Sequence, residues 1–295
     1  MSGSGQALVV ATRPSPLALA QARLVTAALS LEEGALLEVD NQTGAGDKER
    51  FVRGVEQAIL AGRADLGVHS AKDLPGEMTS GLTIAAVPGR ADARDAWIGP
   101  GRSVIEIPEG ARVGTSSLRR RAQLSALRPD LVMVSMSGNV DTRLSKLDSG
   151  EVDGLVLAMA GLDRLGRGEE ASFVFGLDHM TPAAGQGAIA VQTRTGRETE
   201  VAGIGDPGSM TCLQAERAAV VGLDADCSSP VGIHARLDRG WLILDGFAGR
   251  PDGSVWVRDR VEGDSSRPES LGRELADRMM KAGAVEVMAG STLSG

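Results

Sequence analysis

Alternation is what most constrains this chain. Through its first two-thirds, apolar runs of strand length give way repeatedly to longer stretches with apolar residues at helical spacing. Residues 7–11, Ala-Leu-Val-Val-Ala, read as a buried strand. Thr12-Arg13-Pro14-Ser15-Pro16 follows, with Ser15 placed to cap a helix over 17–31 and Pro16 at its first position. A second strand is expected at 36–39, a second helix at 49–61 and a third strand at 66–69. Strands alternating with helices predict a mostly parallel sheet covered on both faces. A new series starts near Val87-Pro88-Gly89-Arg90, with strands at 112–114, 131–136 and 154–158 and helices at 117–127 and 142–147. The turn-rich run 181–187 then returns the chain to a strand at 188–192. From Met210 the pattern changes to a helix at 213–221, strands at 231–237, 241–248 and 254–260, and a helix at 270–282. Asp238-Arg239-Gly240 and Pro251-Asp252-Gly253 are hairpin signals. The expected fold is α/β in three domains: residues 1–90 with 188–208, residues 91–187, and a small α+β domain over 209–295 with a three-stranded antiparallel sheet. A chain that leaves one α/β lobe, builds another and returns makes two crossovers and a cleft between the lobes.

Composition narrows the function. A length of 295 residues suits two or three domains, and 42% hydrophobic residues suffice for sizeable cores. Aromatic residues make up only 2% and tyrosine is absent, which argues against stacking platforms for nucleic acid. A net charge of −8 opposes non-specific binding to DNA or anionic membranes. An anionic ligand must therefore be drawn in by local arginines. The two cysteines, Cys212 and Cys227, do not suggest a disulfide framework. No run approaches 18 apolar residues, and the polar start of the chain does not read as a signal peptide, so a soluble cytoplasmic protein is expected. His69, His179 and His234 lack metal-ligand spacing, and no metal site is expected.

Several segments are suited to anions. Thr12-Arg13-Pro14-Ser15, Thr115-Ser116-Ser117 and Gly138-Asn139 would each lie at a strand-to-helix turn, where backbone N–H groups point outward. Capping alone accounts for the Ser and Thr there equally well. Arg119-Arg120-Arg121 falls in the first turn of a helix, where cations oppose the helix dipole and a buried or cleft-lining anion would compensate. Asp73 follows Lys72 at the end of an apolar run and reads either as a surface ion pair or as a site carboxylate. Cys227 lies among Ser, Pro and Gly, a loop setting in which a thiol can react.

Taken in order, these motifs resemble the porphobilinogen deaminase (hydroxymethylbilane synthase) family. The segments are Ala11-Thr12-Arg13-x-Ser15-Pro16-Leu17-Ala18-Leu19-x-Gln21, Arg63-Ala64-Asp65-x-Gly67-Val68-His69-Ser70-x-Lys72-Asp73, residues 113–120, Gly138-Asn139-Val140-x-Thr142-Arg143-Leu144-x-Lys146-Leu147, residues 157–166, and Gly185-Gln186-Gly187-Ala188. Cys227-x-x-Pro230-Val231-Gly232 carries the match into the third domain. The resemblance implies two lobes like those of periplasmic binding proteins and a third domain whose cysteine holds a dipyrromethane cofactor as a thioether. It implies a transferase of tetrapyrrole and heme biosynthesis that joins four porphobilinogen molecules head to tail, releases ammonia at each step and frees hydroxymethylbilane. A monomer with a small-molecule substrate, and no nucleic-acid or membrane partner, is expected.

Pyrroles bearing acetate and propionate multiply negative charge as a chain grows, and bidentate arginines suit carboxylates. By the resemblance, Cys227 carries the cofactor and Asp73 is the catalytic carboxylate. Cofactor binding falls to Lys72, Ser70, Thr115, Ser116, Arg119, Arg120, Arg143, Gly138 and Asn139, and substrate binding to Arg13, Ser15, Gln21, Arg164 and Lys48. The arginines are expected to act on ligand carboxylates rather than on stability. Three departures stand out. Ser137 occupies a position where the family usually has arginine. The 42–51 segment is shorter than the glycine-rich stretch of familiar members, with Lys48 at the family lysine. Ala225-Asp226-Cys227 replaces Gly-Gly-Cys, and an acidic neighbour disfavours the thiolate. Two other readings stay open from sequence: a divergent paralogue with weakened elongation, and a two-lobed small-anion binder without chemistry.

Overall fold

The computed structural model describes residues 8–32, 35–40, 50–226 and 228–289; Lys48, most of the 42–51 segment and Cys227 lie outside them. The chain packs as two compact units, Met1–Arg90 with Ala188–Met210, and Ala91–Gly187 with Thr211–Gly295.

The first unit is built on β1 (Val10–Thr12), β2 (Leu36–Glu38), β3 (Leu66–Ser70), β4 (Leu82–Ala86) and β10 (Ile189–Arg194), with α1 (Pro16–Ala28) and α2 (Arg50–Leu60) against them. Ser15 caps α1 as its sequence predicts, its Oγ accepting from the Ala18 N–H at 3.3 Å, with Pro16 in the first turn. The strand order is β2-β1-β3-β10-β4. β1, β2 and β3 are parallel, but β10 runs antiparallel to both β3 and β4. Four of the sheet's five strands thus point one way, as expected, and β10 is the exception. β10 enters from a distant part of the chain, so no helical crossover obliges it to run parallel to its neighbours. Val10, Val25, Leu66, Val68 and Val191 fill one side of this sheet, and Val55, Ala58, Ile59 and Leu82 the other.

The second unit repeats that plan. β5 (Asp95–Ile98), β6 (Arg112–Gly114), β7 (Val132–Val134), β8 (Gly154–Ala158) and β9 (Phe173–Val174) follow the order β7-β6-β8-β5-β9. Here too three strands are parallel, and β5 lies antiparallel between β8 and β9. α3 (Leu118–Leu127), α4 (Val140–Asp148) and α5 (Met159–Arg164) follow β6, β7 and β8. The unit also holds the antiparallel sheet β11 (Val231–Asp238), β12 (Trp241–Gly249) and β13 (Trp256–Asp264), as expected from its hairpin signals. Arg239 and Gly240 turn between β11 and β12 with φ of 48° and 86°, the two positive values that a tight hairpin matched to strand twist requires. α6 (Pro207–Gly222), α7 (Pro268–Lys281) and α8 (Ala284–Ala289) complete the chain. Cys212, Leu213, Leu275 and Met279 from α6 and α7 pack with Ile233, Leu244 and Val261 of the sheet, so Cys212 is a core position.

Candidate active site

In the first unit, β1 and β3 are parallel neighbours, so the loops leaving them emerge at the same edge of the sheet. Arg13 follows β1. After Ser70 the chain enters a 3-10 turn, Ala71–Asp73, which carries Lys72 and Asp73. Arg13 and Asp73 meet there with 3.8 Å between Nη1 and Oδ2, their side chains 28% and 37% exposed. That separation exceeds hydrogen-bonding distance. The Asp73 carboxylate is thus held near a cation yet still reachable. Gln21 of α1 donates from Nε2 to Ser70 Oγ at 2.9 Å, and the Ser70 hydroxyl lies 3.1 Å from Gln21 Oε1. Arg13, Ser15, Gln21, Ser70, Lys72 and Asp73 all gather at this edge.

His69, just before Ser70, is buried, and its Nε2 lies 3.1 Å from Gln192 Oε1. Burial lowers its pKa to about 4, against the hydrogen bond it makes to Gln192 and with help from the nearby Arg13 charge. His69 is therefore neutral at physiological pH.

In the second unit, Thr115, Ser116 and Ser117 form the turn from β6 into α3. Thr115 Oγ1 accepts from the Ser117 N–H at 3.2 Å, and Ser117 Oγ accepts from the Arg120 N–H at 3.4 Å. Arg119 and Arg120 then point inward, at 3% and 6% exposure. The anion that compensates them is Asp95, fully buried at the start of β5. Arg119 Nη1 donates to Asp95 Oδ2 at 2.7 Å, and Arg120 donates from Nε and Nη2 to Oδ1 at 2.9 and 2.7 Å. Their other N–H groups reach the carbonyls of Thr181 and Val156. Gln186 donates to Asp95 Oδ1 at 2.9 Å and to the Ala93 carbonyl at 2.7 Å. Burial alone would raise the Asp95 carboxyl, but the charges of Arg119 and Arg120 and these hydrogen bonds overcome it and hold it far below the usual carboxylate range.

Two guanidiniums on one carboxylate leave a positive charge over, and Arg143 adds another. Its Nε donates to the Gly138 carbonyl at 2.9 Å, and it has no carboxylate partner among the described residues. Desolvation, then repulsion from Arg120, lowers its pKa, so it lies within the field of the buried pair. Gly138 has φ of 120°, and a Cβ there would sit 2.9 Å from Thr142 Cγ2. The side chain of Asn139 is spent as the cap of α4, accepting from Thr142 N and Oγ1 at 2.8 Å. Arg164 donates to the Gly187 carbonyl at 2.6 Å, and burial lowers its pKa. Ser137, at the same turn as Gly138, is exposed.

Asp226 precedes Cys227 in sequence and is hydrogen-bonded to the serines beyond it. Its Oδ1 accepts from Ser228 N and Oγ at 2.8 and 2.6 Å and from Ser229 Oγ at 3.0 Å. Its charge therefore organises the surrounding turn, a use that the sequence reading did not foresee. Sequence reasoning also missed Asp95 and Gln186. The available signal was a carboxylate opening an apolar strand, Asp95-Ala96-Trp97-Ile98, which demands a cation.

Comparison with known proteins gives two family matches: "Porphobilinogen deaminase, dipyromethane cofactor binding domain" over residues 8–202 and "Porphobilinogen deaminase, C-terminal domain" over residues 210–281. A porphobilinogen deaminase of Roseiflexus sp. (strain RS-1) is 43% identical over 302 residues, covering 97% of this chain and 99% of that one. One from Thermus thermophilus is 42% identical over 295 residues, covering 96% and 98%. Among solved structures, a TRAP periplasmic solute binding protein from Desulfovibrio salexigens aligns with a TM-score of 0.39 at 16% identity, over 67% of this chain and 72% of that one.

Proposed function

The chain belongs to the porphobilinogen deaminase family, and from that premise we propose how its own residues divide the work. The enzyme is a hydroxymethylbilane synthase: it polymerises four porphobilinogen molecules head to tail, releases ammonia, and is primed by a covalently bound dipyrromethane. The cofactor supplies the pyrrole carbon from which the chain grows.

The observation that carries the residue assignment is the surplus positive charge around Asp95. Dipyrromethane bears four carboxylates, and the cluster of Arg119, Arg120 and Arg143 holds more guanidinium than its one internal carboxylate neutralises. Such a donor set fits a polyanion. Thr115, Ser116, Gly138 and Asn139 line the two turns beside it, with N–H groups at the starts of α3 and α4. Cys227 is the attachment point, directly after Asp226 in sequence. Arg13, Ser15, Gln21 and Arg164, with Lys48, orient the incoming porphobilinogen through its acetate and propionate. Lys72 and Ser70 fix the carboxylates nearest the reacting ring. Asp73 stabilises the positive charge that develops when ammonia leaves the substrate, and holds the proton lost from the pyrrole. Its 3.8 Å separation from Arg13 is too long for a hydrogen bond and leaves the carboxylate open toward that charge. Residues 209–295 serve as the attachment domain, beside α/β domains of 1–90 with 188–208 and of 91–187. We further propose a cytoplasmic monomer that works without nucleic acid; no helix among the described residues is long and apolar enough to cross a membrane.

Intact mass and peptide mapping test this assignment. The purified protein should exceed its sequence mass by a two-pyrrole adduct, on the Cys227 peptide. An adduct on the Cys212 peptide, or none in protein that consumes porphobilinogen, would overturn the assignment.

A further inference from the structure

One buried polar chain in the first unit has no part in the mechanism above, and it brackets the Asp73 turn. Its centre is Glu56 of α2, buried at 7% exposure. Thr79 donates its hydroxyl to Glu56 Oε2 at 2.7 Å, and Gln192 of β10 donates from Nε2 to Oε1 at 2.9 Å. With its amide nitrogen facing a carboxylate, Gln192 must turn its oxygen to His69, which lies 3.1 Å away through Nε2. His69 Nε2 therefore carries the proton, and the ring is the Nε2–H tautomer. The register of β10 against β4 shifts between Val191 and Gln192, the kind of irregularity that re-aims a side chain. Gly67, paired directly with Gln192, leaves the space; a Cβ there would come within 3.1 Å of His69 Nε2.

The placement in sequence gives this chain its meaning. His69 lies just ahead of the Ala71–Asp73 turn, and Thr79 lies in the segment that leaves it for β4. Both stems of the turn are thus tied to one carboxylate. We propose that Glu56, through Gln192 to His69 and directly to Thr79, is a positioning residue that clasps the two stems of the Asp73 turn and so fixes the Asp73 carboxylate. This rests on the role assigned to Asp73 above. A hydrophobic core at this place would bury its surface equally well, whereas four polar side chains satisfied in series specify a single geometry. The neutral state of His69 keeps a second cation away from Arg13, leaving Asp73 as the anion beside it.

The test separates position from stability. Glu56→Leu is compared with Glu56→Gln, which can still accept from Gln192 and donate to Thr79. The expected result for Glu56→Leu is a kcat about 10- to 100-fold lower at an unchanged KM, in keeping with misplacement of a reacting group by a fraction of an ångström. Glu56→Gln should recover kcat to within about threefold by the same reasoning. If Glu56→Leu does not fold, Thr79→Val releases one stem alone and should lower kcat at constant KM. Protein labelled with ¹⁵N-histidine should show one imidazole protonated at Nε2 and neutral down to about pH 4. Wild-type kcat in the folded fraction of Glu56→Leu or Thr79→Val, equal losses in Glu56→Leu and Glu56→Gln, or an Nδ1–H signal for His69 overturns the proposal. Wild-type turnover, measured alongside, tests the assigned activity separately, because the tautomer signal does not depend on substrate.

Discussion

Two aspartates of this chain meet arginine in opposite ways. Asp73 keeps 37% of its side chain exposed, 3.8 Å from Arg13, whereas Asp95 is sealed between Arg119 and Arg120. Removing the charge from Asp73 should leave the fold intact, so Asp73→Asn is expected to retain its thermal unfolding temperature and lose on the order of 10²-fold or more in hydroxymethylbilane formation. Near-normal turnover would make Asp73 structural. The buried cluster behaves otherwise, and here the sequence expectation that the arginines leave stability untouched is revised for Arg119 and Arg120. Breaking a buried pair strands an uncompensated charge at a cost of about 3–5 kcal/mol. Asp95→Asn strands both guanidiniums and should be destabilised on that scale in urea titrations, whereas Arg120→Leu leaves Asp95 paired with Arg119 and should lose less. Protonation sets the sign of the pH dependence. The folded pKa of Asp95 lies below its unfolded value of about 3.9, so its contribution is whole above that value and is lost as pH falls through the folded one. The stability gap between wild type and Asp95→Asn should hold constant above about pH 5 and narrow below about pH 4. A gap independent of pH would show that Asp95 is not the ionised partner.

Elements carry the site because strand ends and helix caps coincide. Asn139 caps α4 and accepts from both Thr142 groups, so Asn139→Ala should cost about 1 kcal/mol, as cap removals do, while leaving α4 in place by circular dichroism. A loss within error would mean that water replaces the cap. Most of the elements could be read from the residues. Ser15-Pro16 marked the start of α1, Ser117 that of α3, and Arg239-Gly240 the hairpin. What escaped were β4, β5, β9, α5 and α8. β5 has only four residues and opens with a charged one, so neither alternation nor an apolar run betrays it. Asp95 is intelligible only beside Arg119, which is remote in sequence and close in space. The same holds for the Glu56–Gln192–His69 chain, in which each residue alone resembles an ordinary polar position. Local pattern fixes where an element lies, but the partner of a buried charge depends on topology.

At the scale of the molecule, the first sheet is discontinuous in sequence and the second is not. β10 lies between β3 and β4, and without it neither strand has its full complement of partners. A chain truncated after residue 187 should therefore leave residues 1–90 sensitive to limited proteolysis, while the full chain protects them. Equal protection would show that β1 to β4 close a stable sheet alone. The same placement sets a timetable during synthesis. About 100 residues separate β4 from β10, which is roughly 5–20 s of translation at ordinary elongation rates. For that interval the nascent chain holds two strand edges with nothing to pair against, the condition under which a holdase or a trigger-type chaperone is most useful. Every strand from β5 to β9 has by then left the peptidyl-transferase centre. The sheet begun second is finished first, and synthesis completes the sheet that bears Asp73 only after the one that bears the buried arginines.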